Sequence, residues 1–356
     1  MTEQLETTAE NRLKKIKNRR RRLTWGVCIT LVIFVLVAVM SWWTMIRMPG
    51  KSYRGELPAA DEQLLLLCDE LRRDITHLSV EIGERNVLNR PRELAIAADW
   101  IETEFKAAGY DVQRQRYDVS GVTCCNLQAE LLGKTRAEEI VVVGAHYDTV
   151  TGTPGANDNT SGVAAVLALA RMFSKRNTDR TLRFVALVNE EPPYFQTEEM
   201  GSLVYTRGCR KRGENVVAML SLETIGCYSD AAGSQKYPPP FGMLYPSEGN
   251  FIGFVGNLES GDLVRQAVET FRKNEKFPCE GCALPEIVPG VGLSDQWSFW
   301  QEGYAALMIT DTAMFRYPYY HTPEDTIDKI DFDRMARVVR GLEKVVTSLS
   351  SAAPAQ

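Results

Sequence analysis

Hydrophobic and polar positions divide the chain into two parts of different character. From Leu23 to Ile46 no residue is charged, and WGVCITLVIFVLVAVMSWW is apolar enough to cross a hydrocarbon layer of ~30 Å as one helix. Beyond residue 60 the apolar positions recur at short periods instead. DEQLLLLCDELRRDITHLSV and PRELAIAADWIETEFKAAGY place them at helical spacing, the second entering at Pro91 and leaving at Gly109. DVQRQRYDV and CNLQAELL alternate like strands with one wet face, whereas the Ile140–Val143 run in EEIVVVGAHYDTV suits a strand covered on both faces. Then follow SGVAAVLALARMF as a helix, TLRFVALVNEE as a strand, SLVYTRGCRKR as a helix and VVAMLSLETIG as a strand. FIGFVGN and YAALMIT read as strands, and Phe332 to Ser348 as a closing helix. This order predicts an α/β domain with a mostly parallel central sheet and helices on both faces, preceded by one transmembrane helix. Residues 47–60, with Pro49, Gly50 and Pro58, read as a tether, and residues 229–250, rich in Pro, Gly and Tyr, as an insertion loop.

Charge orients this arrangement. Residues 1–22 carry eight basic residues, crowded into KKIKNRRRR and its flanks, against three Glu. Only Arg47, Lys51 and Arg54 follow the apolar run closely, so the positive-inside bias predicts a cytoplasmic tail (1–22), a signal anchor (23–46) and an extracytoplasmic remainder, periplasmic or at the cell surface. Trp25 and the Trp42–Trp43 pair suit the two interfaces. A cleaved signal peptide fits less well, because the apolar run exceeds the usual ~7–15 residues and no small-x-small site follows. The rest of the chain has 33 basic and 43 acidic residues, a net of −10, which argues against a nucleic-acid surface. Seven of the eight cysteines then face an oxidising space, where some can pair and, the number being odd, at least one stays free or bonds to another molecule; Cys279-x-x-Cys282 reads as a local disulfide or as unpaired thiols rather than as half of a metal site, since no second CxxC completes one.

Candidate chemistry sits at the ends of the expected strands. GAHYDTV supplies His146 and Asp148, PGANDNTSG supplies Asp158, NEE supplies Glu190 and Glu191, SLETIG supplies Glu223, and YYHTPEDT supplies His321. One such residue alone would be an ordinary solvated or capping group. Parallel strand ends converge, however, and gathering this many carboxylates costs several kcal/mol per charge unless cations neutralise them. Two imidazoles with three carboxylates form a mixed N/O ligand set suited to Zn²⁺, with Mn²⁺ or Co²⁺ as substitutes. A bridging carboxylate can hold two such ions ~3.5–4 Å apart, an arrangement that serves hydrolysis. If Glu191 binds metal, the adjacent Glu190 points elsewhere and can take a proton from the attacking water.

These five motifs, with NEEPPYF and RYPYYHTPEDT as their fuller forms, resemble in order and spacing those of the co-catalytic zinc aminopeptidase family. That family includes secreted bacterial aminopeptidases, glutamate carboxypeptidase-like ectodomains and glutaminyl cyclases. The resemblance covers about residues 90–345 of a domain expected over 61–350. It implies one zinc on His146, Asp158 and Glu223 and a second on Glu191 and His321, with Asp158 bridging. It further implies Glu190 as general base, Asp148 as the acid that orients His146, and Tyr320 as a donor to the tetrahedral intermediate. Glu223 stands where many members have Asp. The expectation is therefore a membrane-anchored two-zinc peptidase acting on peptides, most plausibly an aminopeptidase. The alternatives are a single-zinc cyclase-like acyltransferase and a receptor-like ectodomain without catalysis. Of the remaining residues, His77 reads as a surface or packing group, CRKRG as a solvated helix end, and Trp297, Phe299 and Trp300 as packing, with Asp295 a possible substrate contact.

Overall fold

The N-terminal helical pattern of the sequence is realised in the computed structural model, which describes residues 2–351, as a helix α1 (Thr2–Ser41) that runs into a wider turn (Trp42–Ile46). Among its described side chains, the apolar Leu31, Phe34 and Leu36 are exposed. Residues 17–46 form a helix long and apolar enough to cross a membrane, by length and composition. The hydroxyls of Thr24, Thr30 and Thr44 donate to carbonyls of the preceding turn (Arg20, Gly26, Met40) at 2.7–3.0 Å. This helix belongs to a unit of residues 1–47, and everything after residue 47 forms a second unit.

The second unit opens on residues 48–60, which are irregular but not free. Met48 is buried, Arg272 donates to the Pro49 carbonyl (2.9 Å) and Arg337 to that of Pro58 (2.7 Å), so the expected tether lies along the body of the domain. Next come α2 (Glu62–Thr76), capped by Asp61, and α3 (Pro91–Ala107), which starts on Pro91 as expected. The strands β1 (Val112–Val119), β2 (Val122–Leu131) and β3 (Arg136–His146) follow, then α4 (Gly162–Phe173), β4 (Arg180–Leu187), α5 (Gly201–Lys211) and β5 (Asn215–Glu223). The chain closes with β6 (Ile252–Gly256), α6 (Gly261–Asn274), β7 (Cys279–Ala283), α7 (Gln296–Gln301), β8 (Ala306–Thr310) and α8 (Phe332–Ser350). The sequence pattern omits α6, whose apolar residues Leu263, Val264, Ala267, Val268 and Phe271 do repeat at helical spacing, as well as β7 and α7.

The eight strands form one sheet in the order β1-β2-β4-β3-β5-β8-β6-β7. The central four, β4-β3-β5-β8, are parallel, as are β6 and β7, while β1, β2 and the β8–β6 step are antiparallel. One face packs α2, α3, α4, α6 and α8 against residues such as Val141, Val143 and Ala145, and the other carries α5 and α7. Register brings His146 beside Leu187 and Glu223 beside Thr310, so the carboxyl ends of the parallel strands finish along one edge. Ligand sites form at such an edge.

All eight cysteines are free thiols. Cys279 and Cys282 stand three residues apart on β7, where successive side chains alternate between faces and the Cα atoms lie ~10 Å apart, too far for a disulfide, so of the two expected readings the unpaired thiols hold. His77 has the packing role expected of it, stacked on Trp100 at 4.6 Å, but it also has a carboxylate partner, Glu81, at 2.5 Å. Phe299 and Trp300 are buried, and Trp300 Nε1 donates to the Ala306 carbonyl (2.9 Å). Arg210 and Lys211 end α5 exposed, as a solvated helix end should.

Candidate metal centre

His146 is the last residue of β3 and Glu223 the last of β5, and each is almost completely buried. Asp158 lies in an irregular helical turn (Ala156–Ser161) that leads into α4. That turn is fastened to the end of β5: Asn159 Nδ2 donates to the Leu222 carbonyl (2.8 Å), Ile225 N to Ser161 Oγ (3.0 Å) and Gly226 N to Asn157 Oδ1 (2.8 Å). The closeness of this packing explains the glycine of NTSG, because a Cβ on Gly162 would sit 2.4 Å from the Leu222 carbonyl oxygen. Glu190 and Glu191 follow β4, and His321 comes from the loop before α8.

The structure brings these six side chains together. His146 Nε2 lies 3.4 Å from Asp158 Oδ1 and 3.2 Å from Glu223 Oε2, and His321 Nε2 lies 3.1 Å from both Asp158 Oδ2 and Glu191 Oε2. Three candidate ligand groups result among the described residues: His146–Asp158–Glu223 and Asp158–Glu191–His321, which share Asp158 through its two oxygens, and His146–Glu190–Glu191. Donors bound tetrahedrally to zinc at ~2.0–2.1 Å stand roughly 3.3 Å from one another, so the 3.1–3.4 Å separations fit such a shell. His146 Nε2, Asp158 Oδ2, Glu191 Oε1 and His321 Nε2 are buried without a hydrogen-bond partner, a costly arrangement unless a cation takes their lone pairs. Glu190 Oε2 is 3.7 Å from His146 Nε2, beside the two groups that share Asp158.

The protein's own charges show the same need. Burial pushes Glu191 up to about 7, reinforced by Asp158, and burial likewise holds Glu190 well above the ordinary carboxylate range, with Glu191, Glu223 and Asp295 adding to it. Burial opposes protonation of His321, yet Asp158 and Glu191 raise it to about 10. Asp158 is drawn down, because its contacts with His146 and His321 outweigh its burial. A divalent cation must displace the proton from His321 and those retained by the raised carboxylates, so its affinity rises with pH. The stabilisation zinc gives is therefore expected to grow from pH 5 to pH 8; the increment in Tm on adding zinc, measured at several pH values, checks this.

Asp148 lies beside His146, the residue it is expected to orient, and it also holds backbone. Its carboxylate is 3.6 Å from His146 Nδ1, outside hydrogen-bond reach, while that ring nitrogen is 3.2 Å from the Asp148 main-chain oxygen. The two carboxylate oxygens instead accept the amides of Glu190 (3.2 Å) and Glu191 (3.1 Å), which fixes the peptide carrying both glutamates. Tyr320 stacks on His321 with ring centroids 3.8 Å apart, and burial pushes its hydroxyl far above the usual range. Asp295 is fully buried, with both oxygens lacking a hydrogen bond, and burial raises it to about 7.

The profile of peptidase family M28 matches residues 126–346, more than half of the chain. The chain belongs to peptidase family M28. It is 35% identical over 283 residues to the uncharacterised protein YfbL of Escherichia coli (strain K12), covering 77% of this chain and 86% of that one. Leucine aminopeptidase 1 of Arthroderma otae is 24% identical, over 86% of this chain and 81% of its own. BSAP, a zinc aminopeptidase from Bacillus subtilis, has the same fold at a TM-score of 0.65 and 16% identity, with 85% and 98% of the two chains covered. As an M28 member this protein is a metallopeptidase, a hydrolase for which zinc is the implied metal, and the resemblance read from its motifs is met.

Around this M28 site stand supporting residues that the sequence pattern does not single out. Asp325, four residues after His321, accepts the amides of Asn157 (2.8 Å) and Asp158 (3.0 Å) and the hydroxyl of Tyr317 (2.7 Å). Ser294 Oγ (2.8 Å) and Asn159 Nδ2 (3.2 Å) both donate to Glu223 Oε2, steadying the longer carboxylate in its ligand position. Arg85 is completely buried, and its guanidinium donates five hydrogen bonds, none to a carboxylate: to the carbonyls of Tyr147, Leu78, Gly83 and Pro154 and to Thr160 Oγ1. It ties the His146–Asp148 strand end to the turn that carries Asp158. Burial lowers it to about 10, against the pull of Asp148, Asp325, Asp158 and Glu191. Arg85→Met leaves those acceptors unpaired and is expected to destabilise the fold by about 3 kcal/mol or more, with Arg85→Lys a partial rescue; urea unfolding of the three proteins measures it.

Proposed function

We infer that this metallopeptidase is a membrane-anchored aminopeptidase that holds two zinc ions. The observation that carries the reading is Asp158, whose two oxygens face two imidazoles from different ligand groups. His146, Asp158 and Glu223 would hold one ion, and Asp158, Glu191 and His321 the other. When bound, such ions supply Lewis acidity for the scissile carbonyl and lower the pKa of an attacking water.

The chain's own residues do the rest. Glu190, fixed through its backbone by Asp148 and held next to His146, takes the proton of the water and passes it to the leaving amine. Tyr320, locked against His321, presents a hydroxyl donor to the developing oxyanion. Asn159 and Ser294 hold Glu223, and Asp325 holds the backbone of Asp158, so the ligands need little rearrangement. The N-terminal helix, with basic residues before it and indoles at its ends, supports a signal anchor (23–46) that leaves residues 1–22 cytoplasmic and the peptidase domain (61–350) extracytoplasmic. Elemental analysis of the purified protein, together with a panel of aminoacyl and N-blocked amides, tests the reading. Two zinc per chain and turnover confined to free N-termini are expected; one zinc per chain, or equal turnover of blocked substrates, would overturn it.

A further inference from the structure

The edge strand β7 gathers two segments that hold no metal. The residues flanking it bond to β6: the Pro278 carbonyl accepts Ile252 N (3.0 Å) and Leu284 N donates to the Gly256 carbonyl (2.9 Å). Backbone groups alternate in direction along a strand, so those of Cys279 and Gly281, out of step with these two, face the free edge of the sheet. There Cys279 N donates to Ser52 Oγ (3.1 Å), and the Gly281 carbonyl accepts Tyr245 OH (3.0 Å). Met48 packs on Gly281, where a Cβ would stand 3.1 Å from its Cγ, and Arg272 holds the Pro49 carbonyl. The stretch 48–52 and the 229–250 insertion thus share one edge. The insertion carries Met243, 83% exposed, and beside it the exposed Leu244; Ile287, four residues beyond β7, is 90% exposed. Met243 and Ile287 are the two most exposed large apolar side chains among the described residues. The exposed Met314 lines a partly open chamber of about 870 Å³, whose walls also include Phe241, Tyr245 and Val288, neighbours of the other three, together with Glu223 and Tyr320. Single exposed apolar residues are ordinary, but four around one opening form a patch.

We propose that this apolar rim is immersed in the surface of the bilayer that the chain's own anchor spans, so that the peptidase domain lies against the membrane with the β7 edge toward it. The proposal rests on the anchor at residues 23–46 inferred above. What fixes the occupant is reach. Only Arg47 separates Ile46, the last anchor residue, from Met48, which is packed on β7. Two residues extend at most ~7 Å. The polar layer on each side of the hydrocarbon is roughly 5–8 Å thick, so the free edge of β7 cannot stand clear of the headgroups. The insertion fastened to that edge stands beside them, and a soluble partner or a second copy would have to displace lipid to cover the same rim. Charge limits the depth. Glu286, next to Ile287, is exposed and held by Asn257 Nδ2 (3.0 Å), and Lys51 and Lys236 are exposed as well. These groups suit the headgroup level, while the apolar side chains pass ~5–10 Å into the acyl boundary, as those of an interfacial segment do.

The test uses the full-length protein reconstituted into vesicles of phosphatidylethanolamine and phosphatidylglycerol. A nitrobenzoxadiazole dye is attached through Met243→Cys or Ile287→Cys, each combined with Cys28→Ser, and Cys28→Ser alone gives the background from the remaining thiols. Leu132→Cys serves as control, because Leu132 is 68% exposed just after β2, near the opposite edge of the sheet. Lipid carrying a nitroxide high on its acyl chain should quench the dye at positions 243 and 287 at least twofold and leave that at 132 unchanged. Emission at 243 should shift to the blue on reconstitution, and Ile287→Asp should reverse much of the quenching there. Dye at 243 quenched no more than dye at 132, in protein that resists a carbonate wash, overturns the proposal and leaves the anchor standing. A blue shift without quenching means that protein, such as a second copy, covers the rim, and overturns it equally. Protein that the wash removes overturns the anchor reading; the lipid-facing rim then stands if dye at 243 was quenched before the wash and falls if it was not.

Discussion

Glu190→Gln is expected to lower kcat by about 10²–10⁴-fold while zinc content and KM stay close to those of the parent. The amide keeps the shape of the side chain but cannot accept and return a proton. Glu190 belongs to neither of the two ligand groups that share Asp158, although its Oε2 comes within 3.7 Å of His146 Nε2 and it could join His146 and Glu191 in a third grouping. Steady-state kinetics with elemental analysis of the same preparation separates the possibilities. Lost turnover with full zinc supports the proton transfer, lost turnover with lost zinc makes Glu190 a ligand, and undiminished turnover removes it from the chemistry.

Asp158→Asn is expected to have a still broader effect, because one residue serves both ligand groups. The neutral amide offers one oxygen in place of two charged ones, so both ions should be lost and turnover with them. Loss of binding energy is also loss of folding energy, since a ligand held only by the native state stabilises it by about 4 kcal/mol at a thousandfold excess over Kd. Chelation of the parent should therefore lower Tm by roughly 10 °C, and Asp158→Asn, which has little zinc to lose, should show almost no response to a chelator. Glu191→Gln, which touches a single group, should retain one zinc per chain. Differential scanning calorimetry with and without chelator tests all three, and an unchanged chelator response in Asp158→Asn would refute the shared-ligand arrangement.

What the sequence by itself determined was local. The continuous apolar run Ile140–Val143 and the largely apolar stretch TLRFVALV predict buried strands, and these are β3 and β4, because a strand covered on both faces has little polar surface to show. The chemical type of each strand end was legible too: one imidazole or carboxylate after such a run is an ordinary solvated or capping group, but several of them at converging strand ends call for a cation. The elements that were not legible have weak local signals. The strand β7 (CEGCA) carries two glycine-spaced thiols rather than branched residues and is a strand because β6 and α6 hold it there. Its CxxC spacing suggested a disulfide only because spacing along the chain says nothing of the face on which each thiol points.

The tertiary structure alone decided the jobs of residues whose partners are distant in sequence. Asp148 stands two positions from His146, yet its carboxylate serves the amides of residues 190 and 191, which only the pairing of β3 with β4 brings near. Arg85 carries no motif, and its importance lies in five acceptors supplied by three separate segments. The 229–250 loop could be recognised as an insertion from its composition, but that its rings wall a chamber opening onto Glu223 follows from where β6 and β8 place the residues opposite them. Side-chain chemistry is written residue by residue, whereas proximity is a property of the packed sheet, and the site needs both.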